Sequence, residues 1–151
     1  ALLVVAISQN SMVISLRFNG PMKEVCDYVN ESVTSEDVFI HSDEHTFGTF
    51  CYYYPNNKHY LYLPPTFGGY SGYDAFSSNG SYGSDVKGFI QGRENIWLVD
   101  REGSTTTPYA YSLFSDGILK GKGSIQRFDA YPFSFYAISL RKVEAGDAAK
   151  D

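Results

Sequence analysis

No cluster of lysines or arginines occurs anywhere in these 151 residues, and the net charge is −5. A surface that tracks phosphates needs such a cluster, so nucleic acid is not an expected partner. Long apolar runs are missing too. The opening ALLVVAI is too short to cross a bilayer, and it lacks the basic flank of a signal peptide. Cysteine is scarce: Cys26 and Cys51 are the whole supply, which allows one disulfide or two small buried thiols. Charged residues make up 19% of the chain, and there is a single tryptophan, Trp97.

Catalytic signatures are also missing. The sequence holds no G-x-S-x-G elbow, phosphate-binding loop or dinucleotide fingerprint. Its carboxylates, among them Asp43, Glu44, Glu94, Asp100 and Asp129, are scattered rather than paired. HSDEH sets His41 and His45 four residues apart, a zinc spacing on a helix. Between strand-like neighbours the same spacing spans about 13 Å, too far for one ion, so the segment reads as a polar surface turn. The expectation is a protein that is not an enzyme and that carries no cofactor or metal.

Aromatics are plentiful, at 17% with 13 Tyr and 11 Phe, and apolar residues reach 43%. That is a globular, strand-favouring composition, and the length fits one domain, 1–143, with 144–151 as a flexible tail. MVISLRF alternates as a half-buried strand at 12–18. In NGPMKEVCDYVNESV the apolar positions Met22, Val25, Cys26, Val29 and Val33 fall at helical spacing, which predicts one clear helix at about 19–33. DVFI, FGTFCYYY, HYLYL, NIWLVD, YAYSLF and FSFYAISLRKV then read as strands separated by turn residues. The last is apolar on both parities, as in a strand covered on both sides. ISLR occurs at 14–17 and again at 138–141, and pairing those segments would make the N- and C-terminal strands adjacent. The fold class is therefore α+β: a mostly antiparallel sheet, one helix and long irregular loops.

The longest such loop is PPTFGGYSGYDAFSSNGSYGSD, residues 64–85, which has five Gly and five Ser but also three Tyr and two Phe. A plain linker would not keep rings, and a buried strand would not carry five glycines. Rings on an adaptable polar frame are the composition of contact loops. Tyr70, Tyr73, Phe76 and Tyr82 are candidate binding residues on that ground.

The run YLYLPPTFGGYSGYDAFSSNGSYGS, followed by NIWLVD, TPYAYSLFSDGIL and FYAISLRKV, resembles C-type-lectin-like domains of bacterial surface proteins. These are the Fibrobacter-type major paralogous domain and its relatives, the variable proteins of diversity-generating retroelements. The likeness covers about residues 60–143. It departs from the family at Ile96–Val99, where a YWSS-like signature is usual, and in a final strand with less arginine. It implies a loop-rich scaffold with a binding face drawn from residues 104–136, adding Trp97, Tyr109, Tyr111, Arg127, Asp129, Tyr131 and Tyr136 to the candidate set. In SIQRFDAYPF, Arg127, Asp129 and Tyr131 alternate, which would set them on one side of an extended segment. The sugar-binding Glu-Pro-Asn or Gln-Pro-Asp signatures of that family are missing here, so no calcium dependence is expected. The function implied is non-catalytic binding of a protein or carbohydrate ligand at a cell or virion surface. The alternatives are an assembly subunit that contacts its own copies or fibre neighbours, and a jelly-roll lectin.

Overall fold

The computed structural model describes residues 21–63, 79–102, 107–121, 123–129 and 137–147. In chain order the elements are α1 (Met22–Asn30), β1 (Val38–His41), α2 (Glu44–Tyr53), β2 (Lys58–Tyr62) and β3 (Gly80–Gly83). There follow α3 (Lys87–Ile90), β4 (Ile96–Arg101), α4 (Thr107–Ser115), β5 (Leu119–Gly121), β6 (Gln126–Asp129) and β7 (Ala137–Ala145). The architecture is α+β around one mixed sheet in the order β3-β2-β1-β4-β7-β5, with β6 also on β7.

Half of that sheet is parallel. β3, β2, β1 and β4 run in one direction, and only the pairings of β7 with β4, β5 and β6 are antiparallel. The mostly antiparallel sheet is thus corrected to a mixed one. The physical reason lies in β1 and β4, which read VFIH and IWLVDR and are buried at every position except Arg101. Strands covered on both faces carry apolar residues on both parities, and such strands belong to parallel units with helices above and below. β5 and β6 lie end to end along the outer edge of β7: Leu119–Gly121 face Ala145–Val143, and Gln126–Asp129 face Leu140–Ala137. β7 thereby runs two residues past the expected domain boundary at 143.

The pleat sorts the apolar residues into two layers. On one face Val38, Ile40, Tyr60, Ile96, Leu98 and Val143 pack under Val86 and Ile90 beside α3 and Ala110 and Leu113 of α4. On the other, Phe39, Trp97, Val99, Ile138 and Leu140 pack under Val25 and Val29 of α1, Phe50 of α2 and Tyr54 at the end of that helix. Phe39 is the hub of the second layer, stacked within 5.1–6.1 Å of His59, Tyr54 and Trp97.

The helix expected near 19–33 is present as α1, burying Val25 and Val29. Two stretches expected as strands are helical. FGTFCYYY forms most of α2 and its C-terminal cap, Tyr54, while Asp43 caps the first turn by accepting from His45 N at 2.9 Å. Phe47, Phe50, Cys51 and Tyr54 then fall on one buried face at spacings of three and four. YAYSLF lies in α4, which ends in a Schellman turn. Ile118 N bonds Leu113 O and Gly117 N bonds Phe114 O, with Gly117 at φ 70°. In both cases a cap and a tertiary face overrode the strand preference of aromatic residues. Residues 14–17, and with them the expected pairing of the two ISLR segments, lie outside the described residues. Ile138–Arg141 form the inner part of β7. Cys26 and Cys51 are free thiols, so the possible bridge does not form.

Phe39→Ala, by emptying the hub of the ring stack, is expected to cost about 3–5 kcal/mol in urea-induced unfolding. A loss below about 1 kcal/mol would place the ring outside the packed core.

Candidate functional site

From β1 the chain leaves through α2 toward β2, and from β4 it leaves through α4 toward β5. The two strands are parallel neighbours, α2 packs on one face of the sheet and α4 on the other. Chains departing to opposite faces from adjacent carboxyl ends create a topological switch point, where open sheets of this kind bind ligands. Here that point falls between His41–Ser42–Asp43 and Asp100–Arg101–Glu102. Backbone bonds carry the pairing past the strand ends, from Ser42 N to Val99 O at 3.1 Å and from Glu102 N to Ala137 O at 2.9 Å.

A row of polar side chains crosses the sheet at this edge, on the α4 face. Asp100 is registered opposite Ser139, and Ser139 opposite Arg127. Ser42 follows the His41–Val99 pair and so lies beside Asp100. Ser42, Asp100 and Ser139 are buried, with Asp100 only 5% exposed. Burial pushes the Asp100 carboxyl up to about 6, and the nearby Ser42 hydroxyl offsets part of that rise. Asp100 Oδ1 and Ser42 Oγ nevertheless have no hydrogen-bond partner among the described residues.

Two other buried aspartates show what partnered carboxylates look like in this protein. Asp37 accepts from Thr34 Oγ1 at 2.7 Å and from Trp97 Nε1 at 2.8 Å. Asp43 caps α2 and takes Arg101 Nε at 3.2 Å on its other oxygen. That second pair ties the start of α2 to the end of β4 and holds the switch point together. Among the described residues Asp100 has no such arrangement.

The outer rim is charged. Arg127 Nε meets Glu102 Oε1 at 2.9 Å and its terminal nitrogen meets Asp129 Oδ1 at 2.8 Å, while Ser139 Oγ donates to Glu102 at 3.1 Å. These groups are about half exposed, so the pairs position more than they stabilise. Tyr111 of α4 stands over the same region, 46% exposed. Burial raises its hydroxyl pKa, and the Asp100 and Glu102 carboxylates add to the effect while Arg141 opposes it.

Below the opposite face lies a buried histidine pair. His59 Nε2 donates to Tyr54 O at 2.9 Å, so its Nδ1 accepts from His41 Nε2–H at 3.2 Å. His41 Nδ1 is 3.2 Å from Thr46 Oγ1. Burial holds His59 down to about 4, partly offset by the Tyr54 carbonyl, and burial together with His59 holds His41 well below the usual imidazole range. His45 instead lies near the surface against Asp43 Oδ1 at 3.0 Å. HSDEH is therefore a strand end and a helix cap rather than a surface turn, and its two histidines point to different places.

Of the sequence-predicted binding residues, Tyr111, Arg127 and Asp129 come together at this edge. Arg127 and Asp129 share a side of β6, as their alternation implied. Tyr109 is on α4 and 48% exposed, and Tyr82 is on the edge strand β3 and 42% exposed. Trp97 is corrected: it is 1% exposed and belongs to the core, with its indole N–H held by Asp37. Tyr70, Tyr73, Phe76, Tyr131 and Tyr136 lie outside the described residues. Ser42, Asp100, Glu102 and Ser139 were missed. The signal that could have found them is an acidic residue closing a doubly apolar run, as in IWLVDRE. What fold and site define at the level of class is a mixed α+β sheet with a buried, underpartnered carboxylate at its switch point. The chain matches no model of a known protein family and no curated protein.

The pH profile has two limbs. Asp100 is raised in the folded state, so its contribution is full below the unfolded value near 3.8 and lost as pH climbs through 6. Asp100→Asn should therefore stabilise the protein by about 1–3 kcal/mol at pH 8 and by much less at pH 4, read from urea unfolding at both. Equal effects at the two pH values would mean that ionisation of Asp100 costs nothing. His59 is depressed, so its contribution is full above 6.5 and lost as pH falls toward 4, by up to about 3 kcal/mol. His59→Gln removes that proton uptake and should flatten the acid limb. An acid limb as steep as the parent's would assign it to other groups.

Proposed function

We propose that the protein is a non-catalytic recognition domain that binds a glycan at the carboxyl edge of β1 and β4. The observation that carries this reading is Asp100: a buried carboxylate with an oxygen unpaired among the described residues, at a switch point of the kind where open sheets bind ligands. An unsatisfied buried acceptor costs about 1–3 kcal/mol. Hydroxyls of a sugar would satisfy it and the neighbouring Ser42, and the half-exposed Tyr111 ring offers an apolar face beside them. Arg127, Glu102 and Asp129 supply further donors and acceptors at the rim.

The lectin-like resemblance contributes the recognition role and its setting, display on a cell or virion surface, but the location of the contact face rests on the sheet edge. An assembly subunit is the second reading. It is favoured by Tyr52 and Tyr53 at the end of α2, 79% and 50% exposed and packed edge to face, since large exposed rings mark contact surfaces.

The test is a titration of the isotope-labelled protein with a panel of oligosaccharides, following amide shifts. Binding should perturb Ser42, Asp100 and Ser139 first, and Tyr111→Ala should weaken it about tenfold, the equivalent of 1.4 kcal/mol. If no oligosaccharide moves this edge, the glycan reading fails. If sedimentation also shows a stable oligomer that Tyr52→Ser with Tyr53→Ser dissolves, the assembly reading replaces it.

A further inference from the structure

Resting on the glycan reading, we infer that the ligand at this edge carries a free amine, and that its ammonium group is the partner Asp100 lacks among the described residues.

Charge bookkeeping around the site leads there. Three carboxylates, those of Asp100, Glu102 and Asp129, sit on or beside the polar row. Arg127 is shared between Glu102 and Asp129. Arg101, on the opposite face, is tied to Asp43. Arg141 leans the other way: its guanidinium lies 5.0 Å over the Phe114 ring and against Gly121 of β5, across β7 from Asp100. Among the described residues none of these cations forms an ion pair with Asp100: Arg127 and Arg101 are paired elsewhere, and the buried Arg141 Nε has no hydrogen-bond partner of its own.

A buried carboxylate needs either a proton or a counter-charge. Without ligand it takes the proton readily, in keeping with its raised pKa. An incoming ammonium supplies the counter-charge and three donors, enough for Asp100 Oδ1 and the Ser42 hydroxyl together. A neutral sugar hydroxyl can hydrogen-bond Asp100 but leaves its charge uncompensated. The site should therefore prefer an amino sugar whose nitrogen is not acetylated, and binding should displace the Asp100 proton where one is present.

The test uses two probes of equal length, the fully deacetylated trimer of β-1,4-linked glucosamine and its triacetylated counterpart, titrated calorimetrically at pH 6.5, where most of the probe's amines carry a proton, and at pH 5. The deacetylated trimer should bind at least tenfold tighter at pH 6.5. Its affinity should fall at pH 5, with proton release read from the dependence of the observed heat on buffer ionisation enthalpy. Asp100→Asn, confirmed as folded by its melting transition, should weaken binding of the deacetylated trimer to within about twofold of its acetylated counterpart. Because salt screens any cation on an acidic protein, the preference must also survive 0.3 M salt in the parent and vanish in the variant. Equal or tighter binding of the acetylated trimer overturns the amine inference and leaves the glycan reading standing. A preference that Asp100→Asn retains overturns the assignment to Asp100. If neither this pair nor the wider oligosaccharide panel binds at the edge, the glycan reading fails and the inference falls with it.

Discussion

Two short parallel strands, buried on both faces, set up everything else in this molecule. β1 and β4 together contribute only ten residues, yet Phe39, Ile40, Trp97 and Leu98 are essentially inaccessible and supply the centre of both apolar layers. Rings and branched chains that size are worth about 1.5–3 kcal/mol each on burial, enough for the pair to dictate where the helices go. Because each face needs a cover, the segment after β1 packs on one side and the segment after β4 on the other. The gap between the two departing chains is a consequence of that coverage and needs no separate design.

The same pleat that divides the core also divides the polar residues where the apolar ones run out. Position 100 continues the parity of Ile96 and Leu98, so its side chain stays on the α4 face. Arg101 continues the parity of Trp97 and Val99 and meets Asp43 on the other. One face of the edge is thereby locked, with a helix cap and an ion pair sharing a single carboxylate. The other holds Asp100 and Ser42 with acceptor and donor capacity unspent among the described residues. An edge that is rigid on one face and underpartnered on the other suits a binding site: the backbone is held in place before a ligand arrives, which lowers the entropic cost of association.

Much of the platform was legible in the chain. The helical spacing of Met22, Val25, Cys26 and Val29 gave α1, and turn residues bracketed β2, β4 and β7 at nearly their observed places. The parallel half was not inferred, although its signal was present. DVFI and NIWLV are apolar on both parities, as the last strand was recognised to be, and the same rule applied to them would have called for helices on both faces. FGTFCYYY misled because aromatic residues favour strands in general, whereas Asp43 and the spacing of Phe47, Phe50 and Cys51 favour a helix at this place. The site followed the same pattern. Tyr111, Arg127 and Asp129 were chosen as contact residues and do gather at one edge, but Asp100 and Ser42 at its centre are ordinary residues in a linear reading. Only the register that sets Ser42, Asp100, Ser139 and Arg127 side by side gives them meaning, and register is a long-range property that one strand's sequence does not contain.

The case for function at that edge then turns on a comparison within the protein. Asp37, Asp43 and Asp100 are buried to similar depth, between 1% and 6% exposed. Asp37 secures the central tryptophan, and Asp43 secures α2 and Arg101. Remove either and a structural element loses its anchor. Among the described residues Asp100 anchors nothing comparable, and burial holds its carboxyl near 6, so at neutral pH the fold carries a charge it would be more stable without. An asparagine there would fit the same space and lift that penalty. A residue that works against the stability of its own fold, at a point where the topology opens the sheet, is better explained by something it binds than by anything it supports.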